Sequence, residues 1–245
     1  MKLALSNNIK SRVNADWTPE KLSSLLHWYK CDTGISTYAH STSGNRIVTE
    51  WQDQKGTNNL IDTATPADTA GYNTAHPRYD TSTKEVVFDH GGDQLDLTEH
   101  LSLGTFAIFV RIEFDDTTFG DFLFEDEAGN NFLKVQTATE LRVKISGNRH
   151  DFTIDGELAQ DTRYVIGYQR EDTALTADDI ISCYVNNTAV TQSGSGDGTQ
   201  AITDTLDLEK VGDPSNQTRI KEIVICNNAL SGADRTSLFN YLYNL

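Results

Sequence analysis

The amino-acid sequence predicts an all-β protein in which two antiparallel sheets pack face to face, with helices only near its two ends. Apolar residues alternate with polar ones at a period of two, the spacing that turns one face of a strand toward a core. Turn-forming Asn and Gly residues separate these segments at intervals of about ten residues, which is typical of sandwiches and barrels. Helix-starting signals occur only in the first and last segments.

The N-terminal segment, 1–16, is predicted to be an arm outside the folded domain. Its apolar residues stand singly among polar ones, so the segment cannot form a core of its own. Such a segment can instead become ordered against a neighbouring subunit. We therefore predict an assembly contact through four apolar side chains: Leu3, Leu5, Ile9 and Val13.

A short helix is predicted at the start of the domain, where Thr18 is a suitable N-cap and Pro19 fits the first helical position. One domain is predicted over residues 17–245. The two long polar stretches, 61–80 and 191–204, have strands on both sides. They are therefore predicted to be surface loops, not domain linkers.

The strands in the middle of the chain follow from their alternation. In 106–114 and 140–146, apolar residues occupy every second position on one face. The segments 163–170 and 179–185 alternate less cleanly, as expected of strands covered on both faces. The Asn and Gly residues between such segments tolerate the positive φ of tight turns, so the strands should follow one another as antiparallel hairpins.

The final segment is predicted to be a buried strand, 219–226, followed by one amphipathic helix. Ser231 can cap this helix, and Asp234 stands near its positive end. A solitary helix cannot bury its own apolar stripe, so we expect it to pack on the sandwich as a lid. The stripe consists of Leu238, Leu242 and Leu245 and is flanked by Tyr241.

Composition argues against several classes of function. The chain has 36 acidic and 20 basic residues, a formal net charge of −16 that repels phosphate backbones and excludes a nucleic-acid partner. No run approaches the roughly 20 apolar residues of a membrane span. The apolar stretch 3–5 is too short for a secretory signal, which predicts folding in a cytoplasm. Three scattered cysteines without CxxC spacing are predicted to be buried residues and argue against disulfides or zinc.

Four motifs follow one another along the chain. They are Trp28 with Tyr29; Trp51, Asp53, Gly56 and Asn58; Pro77, Tyr79, Val87–Asp89, Gly92 and Asp93; and Glu222–Cys226, Asn228–Ser231, Tyr241 and Leu242. In this order they resemble the concanavalin A-like, laminin-G-like jelly-roll family. The resemblance implies a two-sheet antiparallel jelly-roll sandwich whose last strand closes one sheet and whose terminal helix packs against it.

That fold also includes glycoside hydrolases, which need two carboxylates on either side of the scissile bond. Glu125, Asp126 and Glu127 run directly into a Gly-Asn turn and do not fit this pattern. Asp207 and Glu209 have a suitable same-face spacing, but a solvent-facing strand produces the same spacing. We therefore predict no catalytic residues and no enzyme.

No cofactor is predicted, with calcium as the possible exception. Asp89, Asp93 and Asp96 surround a Gly-Gly turn, and oxygen ligands on such a turn suit calcium. The alternative interpretation is a tight turn between two strands without a metal ion.

A glycan site is predicted in the polar loop that contains Tyr72, Asn73 and Arg78. An aromatic platform beside amide and guanidinium groups is what a sugar site requires. The alternative is that Pro77 and Tyr79 only anchor this loop to the sandwich.

The resemblance implies, as the first function, a virion structural protein of a tailed phage, serving as capsid decoration, tail or fibre component. Its partners would be other virion proteins or copies of itself in a homo-oligomer, and its location the virion. The second candidate is a lectin-like carbohydrate-binding module that recognises cell-surface glycans. The third is a glycoside hydrolase.

Overall fold

Two antiparallel layers form the folded chain in the computed structural model, which confirms the predicted all-β sandwich. The structure describes residues 17–39, 46–63, 76–89, 91–116, 119–171, 181–195, 204–212 and 217–244. Within these ranges, 17 strands pair in antiparallel fashion and their hydrogen bonds form one continuous network.

The strands are β1 Leu25–Lys30, β2 Ile35–Ala39, β3 Arg46–Trp51, β4 Leu60–Ile61, β5 Arg78–Asp80, β6 Glu85–Phe88, β7 Gln94–Leu103, β8 Phe106–Phe114, β9 Asp121–Glu125, β10 Phe132–Thr137, β11 Glu140–Ile145, β12 Asn148–Thr153, β13 Thr162–Arg170, β14 Ile181–Val185, β15 Thr188–Ser195, β16 Leu206–Gly212 and β17 Thr218–Cys226. A 3-10 turn, Pro19–Lys21, precedes them, and helix α1, Gly232–Tyr243, follows them.

Both predicted helices are present, but the first is only this single 3-10 turn. Thr18 makes no side-chain capping bond, and the chain turns at once into β1. Helix α1 begins as predicted, because the Ser231 hydroxyl accepts a hydrogen bond from the Asp234 backbone N–H at 3.1 Å. Its apolar stripe is buried at Leu238 and Leu242.

Strand β17 lies in the middle of one layer, which we call the helix-side sheet: β1, β6, β17, β8, β13 and β14. It pairs with β8 along one edge and with β1 and β6 along the other. The opposite sheet contains β7, β16, β9, β10, β11, β12 and β15. The main core lies between the sheets, and the alternate residues Phe106–Phe114 of β8 point into it as predicted.

A second cluster, the helix-side core, fills the space between the helix-side sheet and α1. Its sheet residues are the other face of the same strands, for example Phe109 of β8 and Val224 of β17. Leu238 and Leu242 of the helix pack on these side chains. At about 25 cal/mol per Å² of apolar surface, this burial is what holds the helix in place.

The loop after β3 is fixed by one buried carboxylate. Asp53 accepts hydrogen bonds from the backbone N–H groups of Trp28 at 3.0 Å and Lys55 at 2.9 Å. Its other oxygen lies 2.7 Å from His27 Nδ1. Because these groups favour the charged form, the pKa of Asp53 is lowered although burial opposes this. The motif of Trp51, Asp53, Gly56 and Asn58 therefore has a structural role, because the Asp53 side chain connects the loop after β3 to strand β1.

The predicted hairpin turns are present. Asn186 and Asn187 have φ values of 49° and 63° at the β14–β15 turn, and Ser146 and Gly147 have 49° and 89° at the β11–β12 turn. The two stretches predicted to be loops are partly strands, because β5 and β15 extend into them. Their mostly polar sequences lack the alternation that marks a strand, although each strand pairs with a neighbour on both sides.

All three cysteines are buried and free, as predicted. No helix within the described ranges is long and apolar enough to cross a membrane.

We expect Gly167→Ala to destabilise the protein by about 1–3 kcal/mol, because overpacking a filled core has this cost. Gly167 lies on β13, and a Cβ atom there would overlap the Phe109 ring. The matched control is Gly104→Ala, since a Cβ atom at Gly104 meets no atom within 4 Å. Urea unfolding at pH 7 measures both changes. Equal stabilities of the two variants would contradict this packing.

Candidate functional site

A cavity of about 660 Å³ opens on the outer face of the helix-side sheet, where α1 ends. We call it the helix-end cavity. Strands β8 and β13 form its floor, and the last residues of the helix form one wall. The polar and aromatic groups that line it include Arg111, Glu113, Asp161, Arg163, Tyr243 and Asn244.

The cavity exists because α1 is shorter than the strands beneath it. Along the outer face of β8, Ala107 and Phe109 lie under the helix. The next two residues on that face, Arg111 and Glu113, lie in the cavity. The strand thus changes from apolar to charged residues at the point where its cover ends.

An ion pair forms the centre of the floor. Arg163 of β13 and Glu113 of β8 are direct cross-strand neighbours, and Arg163 Nε donates to Glu113 Oε2 at 2.8 Å. The Arg163 side chain is 51% exposed, so this guanidinium faces the cavity opening. Arg163 Nη2 lies 3.8 Å from Glu85 Oε1, which is too long for a hydrogen bond.

Arg111 lies deeper and is only 4% exposed. Burial is the main cause that lowers its pKa, and the charge of Arg163 contributes in the same direction. Its cross-strand neighbour on β17 is Glu222, which is 2% exposed. Burial raises the pKa of Glu222 to about 7, against the opposing effect of hydrogen bonds from Trp28 and Tyr241.

Three carboxylates lie close together beside the cavity, and two of them, Glu113 and Asp161, line it. Oxygen atoms of Glu113, Asp115 and Asp161 lie within 4.8 Å of one another, a grouping that could hold a metal ion. Two of the three already face arginines, because Arg163 pairs with Glu113 and Arg219 lies 2.7 Å from Asp115. Hydrogen bonding to Asp115 is the main cause that raises the pKa of Arg219.

The opening of the cavity carries an aromatic ring. Tyr243, at the end of α1, is 58% exposed, and in the described part of the chain it is the one large apolar or aromatic side chain that is mostly exposed. Its ring packs against Phe239, with 5.4 Å between centroids, which fixes its orientation. An exposed ring beside alternating donors and acceptors is able to bind a ligand rich in hydroxyl groups.

Of the residues predicted as a glycan site, Arg78 does not line this cavity. Tyr72 and Asn73 lie outside the described residues. Arg78 is on β5, where its Nε donates to Asp89 Oδ2 at 2.6 Å. The predicted assembly residues, Leu3, Leu5, Ile9 and Val13, also lie outside the described part of the chain.

The three aspartates predicted as calcium ligands each have protein partners. Asp89 binds Arg78, and Asp93 Oδ2 accepts the backbone N–H of Asp89 at 2.8 Å. Asp96 accepts hydrogen bonds from the side chains of Thr63 and Gln94. Among the described residues, the acidic group whose oxygen atoms lie close enough together to hold a metal ion is instead Glu113, Asp115 and Asp161, at the helix-end cavity.

The acidic residues of β16 and of the nearby turn also have protein partners. Glu209 accepts the backbone N–H of Glu127 at 2.8 Å, and Asp207 accepts the Thr205 hydroxyl at 3.0 Å. Asp126 caps the turn by accepting the N–H groups of Asn130 and Asn131. Each of these acids therefore has a structural role.

Sequence reasoning did not find the helix-end cavity. One feature of the sequence could have indicated a site on this face: Arg111 and Glu113 are charged residues on a strand face that is otherwise apolar. Nothing local indicates that Arg163 lies beside Glu113, because 50 residues separate them. The contribution of Tyr243 depends on where the helix packs.

No protein-family model matches the chain, and no curated protein matches it. Solved structures with a similar fold include Trypanosoma rangeli sialidase in complex with sialic acid, with a TM-score of 0.55 and 13% identity. That match covers 89% of this chain and 33% of the sialidase. A second T. rangeli sialidase structure has a TM-score of 0.55 and 14% identity over the same shares.

The third comparison is botulinum neurotoxin type C, whose cell entry depends upon interaction with two ganglioside molecules. Its TM-score is 0.52 at 11% identity, covering 80% of this chain and 51% of the toxin chain. The chain thus spans about a third of the sialidases and half of the toxin structure. At these identities the likeness shows the fold, a β-sandwich of the jelly-roll type.

The prediction that this chain is not an enzyme is wrong as it was argued, and the sialidase matches overturn it. Sialidases are glycoside hydrolases, and the fold of this chain occurs within them. The missing sequence motif therefore did not justify excluding catalysis. Because the likeness extends only to the fold, it assigns no reaction to the helix-end cavity.

Proposed function

We propose that the chain is a carbohydrate-binding module that holds a glycan in the helix-end cavity. The observation that carries the proposal is the position of the Arg163–Glu113 pair beside the exposed Tyr243 ring. A sugar offers hydroxyl groups that both donate and accept, together with an apolar face of C–H groups. The floor and the wall of the cavity match these two features.

The ion pair fixes the polar part of this site. Glu113 binds the Nε atom of Arg163, and Nη2 lies 3.8 Å from Glu85 Oε1, so two carboxylates orient a guanidinium whose side chain is still 51% exposed and can donate further hydrogen bonds. Glu113 keeps acceptor capacity because a carboxylate can accept several hydrogen bonds. Side chains fixed in this way lose little conformational entropy when a ligand binds.

The aromatic part comes from the end of α1. Tyr243 contacts Phe239, and a sugar ring could stack on its exposed face beside the polar floor. The cavity volume of about 660 Å³ lies within the usual range of about 300–1,000 Å³ for ligand sites.

The named ligands of the similar folds support the choice of glycans to test. The sialidase structure contains sialic acid, and the neurotoxin interacts with gangliosides. Sialylated glycans are therefore the first probes, with the neutral core sugar as the comparison. An array of both kinds, followed by calorimetry with 3′-sialyllactose and lactose, measures the binding.

We expect Arg163→Ala and Tyr243→Ala each to weaken binding of the array-selected glycan by about tenfold or more, since each removes about 1–3 kcal/mol of contact. The control is Arg149→Ala on β12 of the opposite sheet, whose side chain is also partly exposed at 39%. It should bind with the wild-type constant. Calorimetry at one pH and salt concentration compares the variants.

Other outcomes would change the assignment of the site or refute the proposal. Loss of binding in Arg78→Ala or Tyr72→Ala, with full binding in Arg163→Ala, would place the glycan in the polar loop that the sequence indicated. No binding to any glycan on the array would refute the proposed function. Release of free sialic acid from 3′-sialyllactose would show that the chain also hydrolyses glycans.

A second proposal concerns the setting in which this module works. The order of the four sequence motifs resembles a family with members in tailed-phage virions, and the acidic composition and the apolar residues of the 1–16 arm support an assembled surface protein. The chain would then be a decoration, tail or fibre component, made in the host cytoplasm and packed against virion proteins or copies of itself.

Deleting residues 1–16 tests this second proposal. We expect the full chain to form a homo-oligomer and the shortened chain to be a folded monomer, because the arm supplies the contact and residues 17–245 supply the core. Light scattering after size exclusion measures the mass, and urea unfolding checks the fold. A full-length chain that stays monomeric at high concentration would contradict the assembly role.

A further inference from the structure

Helix α1 connects the helix-end cavity to a buried carboxyl group. Its last residues, Tyr243 and Asn244, form a wall of the cavity. Two positions before Tyr243, the Tyr241 side chain is hydrogen-bonded to Glu222 of β17. The position of the cavity wall therefore depends on a contact between the helix and one ionisable group in the sheet.

We propose that Glu222 is a proton-dependent latch that holds α1 against the sheet when it is protonated and loosens the helix when it is ionised. The helix carries Tyr243, so the latch controls whether the cavity has its aromatic wall. This inference concerns the regulation of the site in the proposed function and rests on that function for its role in ligand binding.

The latch lies at the junction of three elements. Glu222 on β17 is 2% exposed, and Trp28 Nε1 of β1 donates to Glu222 Oε1 at 2.5 Å. Tyr241 of α1 bonds to the same carboxyl group. The Trp28 and Tyr241 rings also meet edge to face, with 6.3 Å between centroids. Side chains of β1 and α1 thus both contact this buried carboxyl group.

The charged groups around Glu222 come from each neighbouring strand. Lys30 of β1 lowers the pKa of Glu222, whereas Asp32, just beyond β1, raises it. Arg111 of β8 is its cross-strand neighbour, and that arginine is in turn affected by Arg163 and Glu85. From α1, the group that faces Glu222 is the Tyr241 hydroxyl.

Burial outweighs these favourable contacts. It raises the pKa of Glu222 from 4.5 to about 7 while the helix is docked. If α1 leaves the sheet, water reaches the carboxyl group and its pKa falls back toward 4.5. The docked state then binds the proton more tightly, so docking is strongest below about pH 4.5 and weakens as the pH rises to about 7. Above about pH 7, the contribution of Glu222 protonation to helix docking is lost completely.

The protonation state of Glu222 also affects the cavity floor through Arg111. Glu222 and Arg111 stand opposite each other on β17 and β8, and Arg111 lines the cavity. Ionisation of Glu222 adds a negative charge next to this guanidinium. The pH thus affects the cavity through its wall and through the charge of its floor.

Hydrogen exchange of the α1 amides, in the full chain at pH 5 and pH 8, tests the latch without any ligand. After correction for intrinsic exchange rates, we expect protection of α1 to fall by about tenfold or more at pH 8, while the central strands of both sheets remain protected. The variant Glu222→Gln keeps the shape but cannot ionise, so its α1 protection should be the same at both pH values.

The matched control is Glu85→Gln, which changes a carboxyl group on the same sheet face that is also 2% exposed. Its α1 protection should keep the wild-type dependence on pH. Tyr241→Phe removes the helix side of the latch and should give weaker protection at pH 5. Wild-type protection that does not change with pH, or a pH effect that persists in Glu222→Gln, would overturn the proposal.

Binding measurements separate this inference from the proposed function. The affinity for 3′-sialyllactose, or for lactose, should be higher at pH 5 than at pH 8 in the wild type and equal in Glu222→Gln. If no glycan on the array binds, the proposed function fails, and the exchange data still decide the latch. If a sugar binds equally well at both pH values while α1 loosens, the latch does not control the cavity.

Discussion

Strand β17 is covered on both faces, by the main core on one side and by α1 on the other, and both of its edges are hydrogen-bonded. Where α1 packs on such a strand, none of its side chains faces solvent. Its apolar residues therefore alternate between two cores, with Ile223 and Ile225 in one and Val224 and Cys226 in the other. The docking of a single helix on this strand decides which part of the sheet remains exposed.

Helix α1 covers only part of the outer face of the helix-side sheet, and this determines where charged side chains are found on that face. Under α1, the sheet presents apolar side chains and the buried Glu222, which Tyr241 of the helix contacts, whereas beyond the helix Arg111 and Glu113 line the cavity. Glu222 is only 2% exposed, and this burial is the main cause that raises its pKa.

Fold and function are separate conclusions for this chain. The same sandwich occurs in sialidase and neurotoxin structures, but at 11–13% identity this likeness shows the fold and assigns neither a reaction nor a ligand. The prediction of no enzyme relied on the absence of a motif, and the comparison of folds shows why that reasoning was insufficient. Individual side chains, here Arg163, Glu113 and Tyr243, have to carry any functional argument.

The sequence by itself determined the strands of β8 and β11, the hairpin turn at Asn186 and Asn187, and the capped helix after Ser231. These features depend on the alternation and φ preferences of neighbouring residues, which are local properties. It also predicted that the helix stripe, Leu238 and Leu242, must be buried. Only the tertiary structure placed Arg163 beside Glu113 and brought Tyr243 to the same cavity, because pairing register and helix docking arise from contacts between distant parts of the chain.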